Sequence, residues 1–169
     1  MIIELLLYSY LTIMVAYIFF FSFAGRLFSK KKSDNTSIAR YQKIAILIPV
    51  YKEDDIIYSA AHSYSSLIYP KDAYDVYIIA DSLKEDTLQQ LATLPVQVIP
   101  VSFDKSTKTK SLNKAFATIS KQYDIALICD ADNILQKDYL NKINLAFCQG
   151  ARAVQGQRVA KNMDTPFAI

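Results

Sequence analysis

The eight residues KIAILIPV, at positions 43–50, determine the predicted fold. The run is short and almost entirely apolar, which is typical of a strand covered on both of its faces. Similar runs predict further strands at 73–81, 96–101, 124–129 and 151–159. The segments between them have apolar residues at steps of three and four, so they are predicted as amphipathic helices: one from Ile56 to a point before Pro70, then 84–94, Leu112 to Ile119, and 136–148.

This alternation of buried strands with amphipathic helices predicts an α/β fold with a mostly parallel sheet, helices on both faces and right-handed crossovers. The composition agrees, because 169 residues that are 52% hydrophobic and contain only three glycines can form one domain with a real core. The net charge is only +3 and its basic residues are dispersed, which argues against a nucleic-acid partner. Cys129 and Cys148 lie far apart in apolar segments and are predicted to be buried free thiols.

An apolar segment precedes the predicted domain. Residues 5–24 contain no charge and are long enough, as a helix, to cross a hydrocarbon layer about 30 Å thick. Arg26 and Lys30–Lys32 follow directly, so the positive-inside rule predicts a cell-membrane protein with its amino terminus outside and its domain in the cytoplasm. A secretory signal peptide is the alternative, although the basic n-region that it needs is missing. The bilayer is therefore an expected partner.

The expected division of the chain is an anchor at 1–26, a basic juxtamembrane linker at 27–42, and a domain at 43–169. In parallel α/β sheets, ligands bind beyond the carboxyl ends of the strands. No strand end here carries a G-x-G-x-x-G or G-x-x-x-x-G-K-[ST] sequence, so neither a dinucleotide fold nor a P-loop is indicated. The single histidine, His62, falls within a predicted helix and is expected to be structural.

Two aspartates follow the strand at 124–129. Asp130 and Asp132 straddle Ala131, so in an extended chain both carboxylates point the same way. Such a pair is favoured by a cation, and Mg²⁺ or Mn²⁺ accepts one or two carboxylates together with water and phosphate oxygens. The alternative is that Asp132 only caps the following helix.

Four segments in order, AILIPVYKEDD, IIADSLKEDT, KTKSLNKAF and LICDADN, resemble the family 2 glycosyltransferases, which have the Rossmann-like GT-A fold. The resemblance covers about residues 43–162. It implies transfer of a sugar from a nucleotide-diphosphate donor, usually UDP-linked, to an acceptor hydroxyl. With a membrane anchor, a glycan or lipid-linked acceptor in cell-surface polysaccharide or glycolipid synthesis is expected.

The resemblance assigns roles to the residues at the first two strand ends. Pro49, Tyr51 and Glu53 match the loop that contacts the base and ribose of the donor. Asp81 matches the aspartate that hydrogen-bonds the uracil edge. By themselves, Glu53 and Asp54 fit equally well as charges at a helix N-terminus, and Asp81 fits as a cap.

The remaining roles concern the diphosphate. Lys108 matches the lysine of a K-x-G-x-x-N segment near the nucleotide, and Asn113 matches its last position. Lys110 stands where glycine is common, and this departure is expected either to alter the loop or to add positive charge toward the phosphates. Asp130 and Asp132 match the D-x-D motif, the first near the ribose and the second on the metal.

The family also uses a catalytic base in an E-D segment beyond the D-x-D strand. Asp164 is the one carboxylate after Asp138, and its surroundings do not match that segment. The expectation is a chain that contains the donor-binding half and is inactive or weakly active by itself. A non-catalytic nucleotide-binding remnant is an alternative. A haloacid-dehalogenase-type phosphatase is another, but its D-x-D motif normally follows the first strand.

Overall fold

The computed structural model describes residues 1–28 and 40–157. The chain divides into two compact units, Met1–Thr36 and Ser37–Ile169. The first contains α1 (Ile2–Phe28), and its span Ile2–Leu27 is long and apolar enough to cross a membrane, a test that a signal sequence also passes. The helix extends beyond the predicted residues 5–24 at both ends. Most of the predicted linker lies outside the described residues.

The second unit is built on a four-stranded parallel sheet with the order β3-β2-β1-β4. Its strands are β1 (Ile44–Tyr51), β2 (Tyr74–Asp81), β3 (Gln97–Val101) and β4 (Ile125–Ile128). Its helices are α2 (Asp54–Tyr64), α3 (Glu85–Leu91), α4 (Lys108–Thr118) and α5 (Tyr139–Cys148). The predicted parallel α/β architecture is confirmed.

The central strand β1 has a core on each face because its side chains alternate between two apolar clusters. Ile44, Ile46 and Ile48 belong to the larger cluster, which also takes residues of α2, α3 and α5. Ala45 and Leu47 belong to the smaller cluster, which includes residues of α4. Every one of these five side chains is buried, so the prediction of helices on both faces is also confirmed.

Helix α5 begins later than predicted. The prediction was 136–148, but the backbone first makes a turn in which the Tyr139 amide donates to the Gln136 carbonyl at 2.9 Å. Asp138 then occupies the N-cap, a position that aspartate favours, and its carboxylate pairs with Lys142 at 2.8 Å. The helix ends at Cys148, and Gly150 follows it with φ of +88° and a bond from its amide to the Phe147 carbonyl, as in a Schellman-type cap.

The predicted strand at 151–159 is wrong over its described part, since residues 151–157 are not in a strand. Val154 is the only large apolar residue there, which is too little for a strand covered on both faces. Gly156 instead lies so close to the Tyr139 hydroxyl that a Cβ on it would be 2.2 Å away. Residues 158 and 159 lie outside the described part of the chain.

A buried asparagine joins the chain entering β1 to α5. Asn144 is fully buried; its side-chain carbonyl accepts from the Gln42 amide at 3.1 Å and its amide donates to the Arg40 carbonyl at 2.8 Å. The Tyr69 hydroxyl donates to the Gln42 carbonyl at 2.8 Å. These bonds satisfy backbone groups of the segment that precedes the sheet.

We expect Asn144→Ala to lower the free energy of unfolding by about 1–3 kcal/mol, because two backbone groups lose buried partners. Urea unfolding of the full chain in detergent, followed by near-UV circular dichroism, measures this. Asn113→Ala, at an exposed position of α4, is the matched control and should change it by less than about 0.5 kcal/mol. Equal effects of the two substitutions would contradict the role of Asn144.

Candidate functional site

A cavity of about 530 Å³ lies at the carboxyl ends of β1 and β4 and the N-terminus of α4. Parallel pairing places these strand ends along one edge of the sheet, which is where ligands bind in such folds. The predicted site residues Pro49, Tyr51, Glu53, Lys108, Asp130 and Asp132 all line it. The structure therefore brings together residues that are up to 83 positions apart in the sequence, from 49 to 132.

The turn after β1 directs Glu53 into this cavity. Lys52 adopts a left-handed backbone conformation with φ of 55°, which is uncommon outside glycine, and Glu53 is the N-cap of α2. The Glu53 side chain makes no capping hydrogen bond and lines the cavity. Asp54 has the structural role instead, since its carboxylate accepts from the Lys84 amide at 2.9 Å and the Thr87 hydroxyl at 2.6 Å.

These two bonds to Asp54 lower the pKa of its carboxyl, with the Thr87 hydroxyl as the larger cause. They tie α2 to the start of α3. The alternative of a purely structural charge thus applies to Asp54, whereas Glu53 is available to a ligand.

Asp81 is the one predicted site residue that does not line the cavity. It is 1% exposed, and its Cα pairs in register with that of Tyr51 on the neighbouring strand. The Ser82 hydroxyl donates to one carboxylate oxygen at 3.0 Å, while the other oxygen, Oδ2, is buried and accepts no hydrogen bond from the described residues. The N-cap of the next helix is Lys84, so Asp81 is not its cap.

Asp130–Asn133 form a β-turn, which we call the carboxylate turn, and not the extended chain assumed from the sequence. The Asn133 amide donates to the Asp130 carbonyl at 3.1 Å. Directly before the turn, the Cys129 amide donates to the Leu47 carbonyl of β1 at 3.0 Å. Asp130, Ala131 and Asp132 all line the cavity, and Ala131 is otherwise buried. Because α5 begins only at Tyr139, Asp132 does not cap a helix.

A lysine side chain, that of Lys108, lies beside the carboxylate turn. The Lys108 ammonium donates to Asp130 Oδ1 and forms an ion pair with it. Lys108 is the first residue of α4, and Thr107 caps this helix by accepting from the Lys110 amide at 3.3 Å. The helix N-terminus and the lysine together make this wall of the cavity electropositive.

Lys110, the departure from the glycine common in the family, does not line the cavity. Its ammonium donates to the Lys105 carbonyl at 2.8 Å and lies 5.9 Å from the centre of the Phe103 ring. It thereby stabilises the loop before α4.

The residues of the carboxylate turn fit a divalent cation. Asp132 is exposed, and within residues 1–28 and 40–157 no hydrogen bond or ion pair reaches its carboxylate. The same residues contain no cluster of three or more metal-ligating side chains. The protein therefore offers one or two carboxylates, and water and phosphate oxygens would have to complete the shell, which is how Mg²⁺ is usually bound beside phosphates.

Sequence reasoning missed several polar residues that line the cavity: Ser106, Thr107, Ser111 and Asn133. Thr107 could have been found, because a threonine directly before an amphipathic segment is a common N-cap signal. His62 is exposed near the end of α2, away from this lining, so it is a surface residue and not a buried structural one.

Two buried groups lie beneath the carboxylate turn. Tyr64, the last residue of α2, is fully buried, and burial raises the pKa of its hydroxyl well above the usual range. Burial likewise raises the pKa of the Cys129 thiol to about 11. Cys148 is exposed, so the prediction of two buried thiols is correct only for Cys129.

The model of glycosyl transferase family 2 matches residues 45–168. Because this match covers most of the chain, the chain belongs to the family 2 glycosyltransferases. No curated protein matches the chain. Membership of this family, together with the place of the D-x-D motif on the fourth strand, removes the support for a phosphatase.

Solved structures show the same GT-A fold. The mannosyltransferase PcManGT from Pyrobaculum calidifontis, in complex with GDP-Man and Mn²⁺, is similar over 79% of this chain and 40% of its own, with 19% identity and a TM-score of 0.63. S. aureus TarS 1-349 is similar over 71% of this chain and 40% of its own, with 19% identity and a TM-score of 0.56. For the same protein with UDP-GlcNAc the corresponding values are 71%, 38%, 16% and 0.51. The chain thus spans about 40% of the length of these structures.

The two thiols should differ in reactivity. At pH 8 we expect iodoacetamide to modify Cys148 in the folded chain and to leave Cys129 unmodified until urea unfolds it, because a buried thiol with a pKa of about 11 is almost entirely protonated at this pH. Mass spectrometry of peptides at successive times measures both rates. Cys148→Ser and Cys129→Ser identify each signal, and equal rates in the folded chain would contradict the burial of Cys129.

Proposed function

We propose that the cavity binds a nucleotide-diphosphate sugar, UDP-linked, and that the intact protein transfers the sugar to an acceptor hydroxyl. The observation that supports this most strongly is the charge arrangement on one cavity: the Lys108 ammonium at a helix N-terminus beside the two carboxylates Asp130 and Asp132. A diphosphate is complementary to the lysine and the helix N-terminus, and a cation bound to the diphosphate is complementary to the two carboxylates.

The nucleoside end of the donor would lie along β1. Tyr51 is half exposed on the cavity and offers its ring to a base, while Pro49 and Glu53 face the same space toward the ribose. Asp81 would accept an N–H of the base at Oδ2, since a buried carboxylate oxygen without a partner is unfavourable. Because Asp81 is behind the cavity lining, this contact requires a small opening between Tyr51 and the end of β2.

Asp132, with Asp130, would hold Mg²⁺ or Mn²⁺, which when bound supplies a Lewis acid for the departing diphosphate. PcManGT was solved with Mn²⁺ and GDP-Man. When a diphosphate binds, Lys108 would exchange part of its ion pair with Asp130 for contact with the diphosphate. The lysine would then stabilise the negative charge that develops on the diphosphate as the glycosidic bond breaks.

We also propose a domain arrangement: a membrane anchor at 1–26, a linker at 27–42 and a catalytic domain from 43 onward, with this domain on the cytoplasmic face. The uncharged stretch 5–24 of α1, followed by Arg26 in the last turn of the helix, supports it. A glycan or lipid-linked acceptor in cell-surface polysaccharide or glycolipid synthesis would then be met at the membrane. Fold alone does not identify that acceptor.

We expect the full chain to bind UDP more tightly with Mn²⁺ than with EDTA, and Asp132→Ala to weaken the Mn²⁺-dependent binding about 10- to 100-fold, which is the usual contribution of a charged contact. Isothermal titration calorimetry with UDP and, separately, GDP measures this. Asp72→Ala is the matched control, an exposed aspartate just before the amino end of β2.

Undiminished binding in Asp132→Ala, or binding that ignores Mn²⁺, would contradict the proposal. Tighter binding of GDP than of UDP would change the donor class. The intact protein is also incubated with radiolabelled UDP-sugars and membrane lipids. An active enzyme gives a labelled product, whereas a nucleotide-binding remnant does not.

The membrane orientation is tested through Cys148, which is exposed. If the domain is cytoplasmic, a membrane-impermeant maleimide should label Cys148 only after cells that express the full chain are permeabilised. The intact mass of the purified protein should also include residues 1–26. Labelling in intact cells, or loss of these residues, would favour a cleaved signal peptide and a secreted domain.

A further inference from the structure

We propose that Tyr64 is a positioning residue for the donor site: its buried hydroxyl holds the carboxylate turn in the conformation that presents Asp130 and Asp132 to the cavity. The inference rests on the proposed function, because it concerns the same metal and nucleotide. The D-x-D motif does not include Tyr64, which lies 69 positions before Asn133.

The Tyr64 hydroxyl donates to the Asn133 carbonyl at 2.9 Å. Asn133 is the last residue of the carboxylate turn, and the residues from there to Asp138 are not in a helix or strand. The first end of the turn is held differently, by the bond from the Cys129 amide to the Leu47 carbonyl of β1. The turn is therefore fixed to a strand at one end and to a side chain at the other.

The packing beneath the turn adds to this. Tyr64 and Ala131 belong to the same apolar cluster, and Tyr64 is fully buried. Ala131 is almost completely buried, and the turn places it on the cavity together with Asp130 and Asp132. The tyrosine ring lies in the core beneath the turn, and its hydroxyl donates a side-chain hydrogen bond to the turn backbone.

Tyr64 is itself held in place. The Tyr74 hydroxyl donates to the Tyr64 carbonyl at 3.2 Å, and the Lys71 ammonium donates to the Tyr74 hydroxyl at 2.8 Å. The end of α2 is thus fixed to β2, so the position of the Tyr64 hydroxyl is determined by the core. Burial raises the pKa of this hydroxyl, so it is protonated and able to donate at neutral pH.

Tyr64→Phe tests the inference because it keeps the ring and removes only the donor. We expect Mn²⁺-dependent affinity for UDP to fall about three- to tenfold, equivalent to the loss of one hydrogen bond. Affinity for UDP in EDTA should stay within about twofold, since that binding lacks the cation that Asp130 and Asp132 would hold. Calorimetry of the full chain in detergent, with Mn²⁺ and with EDTA, measures both.

Tyr69→Phe is the matched control. Tyr69 is also a buried tyrosine of the same cluster, and its hydroxyl also donates to a backbone carbonyl, that of Gln42, at 2.8 Å before the amino end of β1. It should lower thermal stability to a similar extent and leave the ratio of the EDTA and Mn²⁺ dissociation constants unchanged. A purely structural role for Tyr64 would give the same result in both variants.

Equal ratios in Tyr64→Phe, Tyr69→Phe and the unsubstituted chain would overturn the inference while leaving the proposed function in place. If the unsubstituted chain binds neither UDP nor GDP with Mn²⁺, both are overturned. Should Tyr64→Phe fail to fold, Tyr64→Met places a smaller, flexible apolar side chain without a donor in the core, and the same loss of the Mn²⁺-dependent ratio is expected from it.

Discussion

The structure depends on the burial of β1 on both faces. A strand with no polar side chain on either face can lie only at the centre of a sheet that helices cover on each side, and helical crossovers make that sheet parallel. Parallel pairing then brings every carboxyl end to one edge. For this reason the polar residues that follow Val50, Val101 and Ile128 lie at the same edge, although the three segments are far apart in the sequence.

The charges gathered at that edge are mutually dependent. Two nearby carboxylates repel each other, and Lys108 offsets part of this repulsion through its ion pair with Asp130. Asp132 keeps an exposed carboxylate with no ion pair among the described residues. An arriving ligand that brings both phosphate and a divalent cation can exchange one set of charge pairs for another, so little uncompensated charge is left in the cavity.

The strand and helix order was predictable because buried strands and amphipathic helices leave different periodicities in the sequence. The cavity followed from topology, since strand ends of a parallel sheet share one edge. The turn at Asp130–Asn133 was not predictable, because its contacts include a bond from Tyr64, far away in the chain. The burial of Asp81 and the direction of Lys110 also depend on neighbours that no local pattern reveals. The failed strand at 151–157 shows that three or four scattered apolar residues do not suffice.

The bonds from Asn144 to the segment at 40–42 have a mechanical consequence. They connect positions 102 and 104 apart in the sequence, and they lie where the chain enters the sheet. Any tension on the chain before Arg40 is resisted by these bonds before it can reach the ladder of β1. A force applied on the amino-terminal side would therefore have to break the bonds between α5 and residues 40–42 before it could pull β1 out of the sheet.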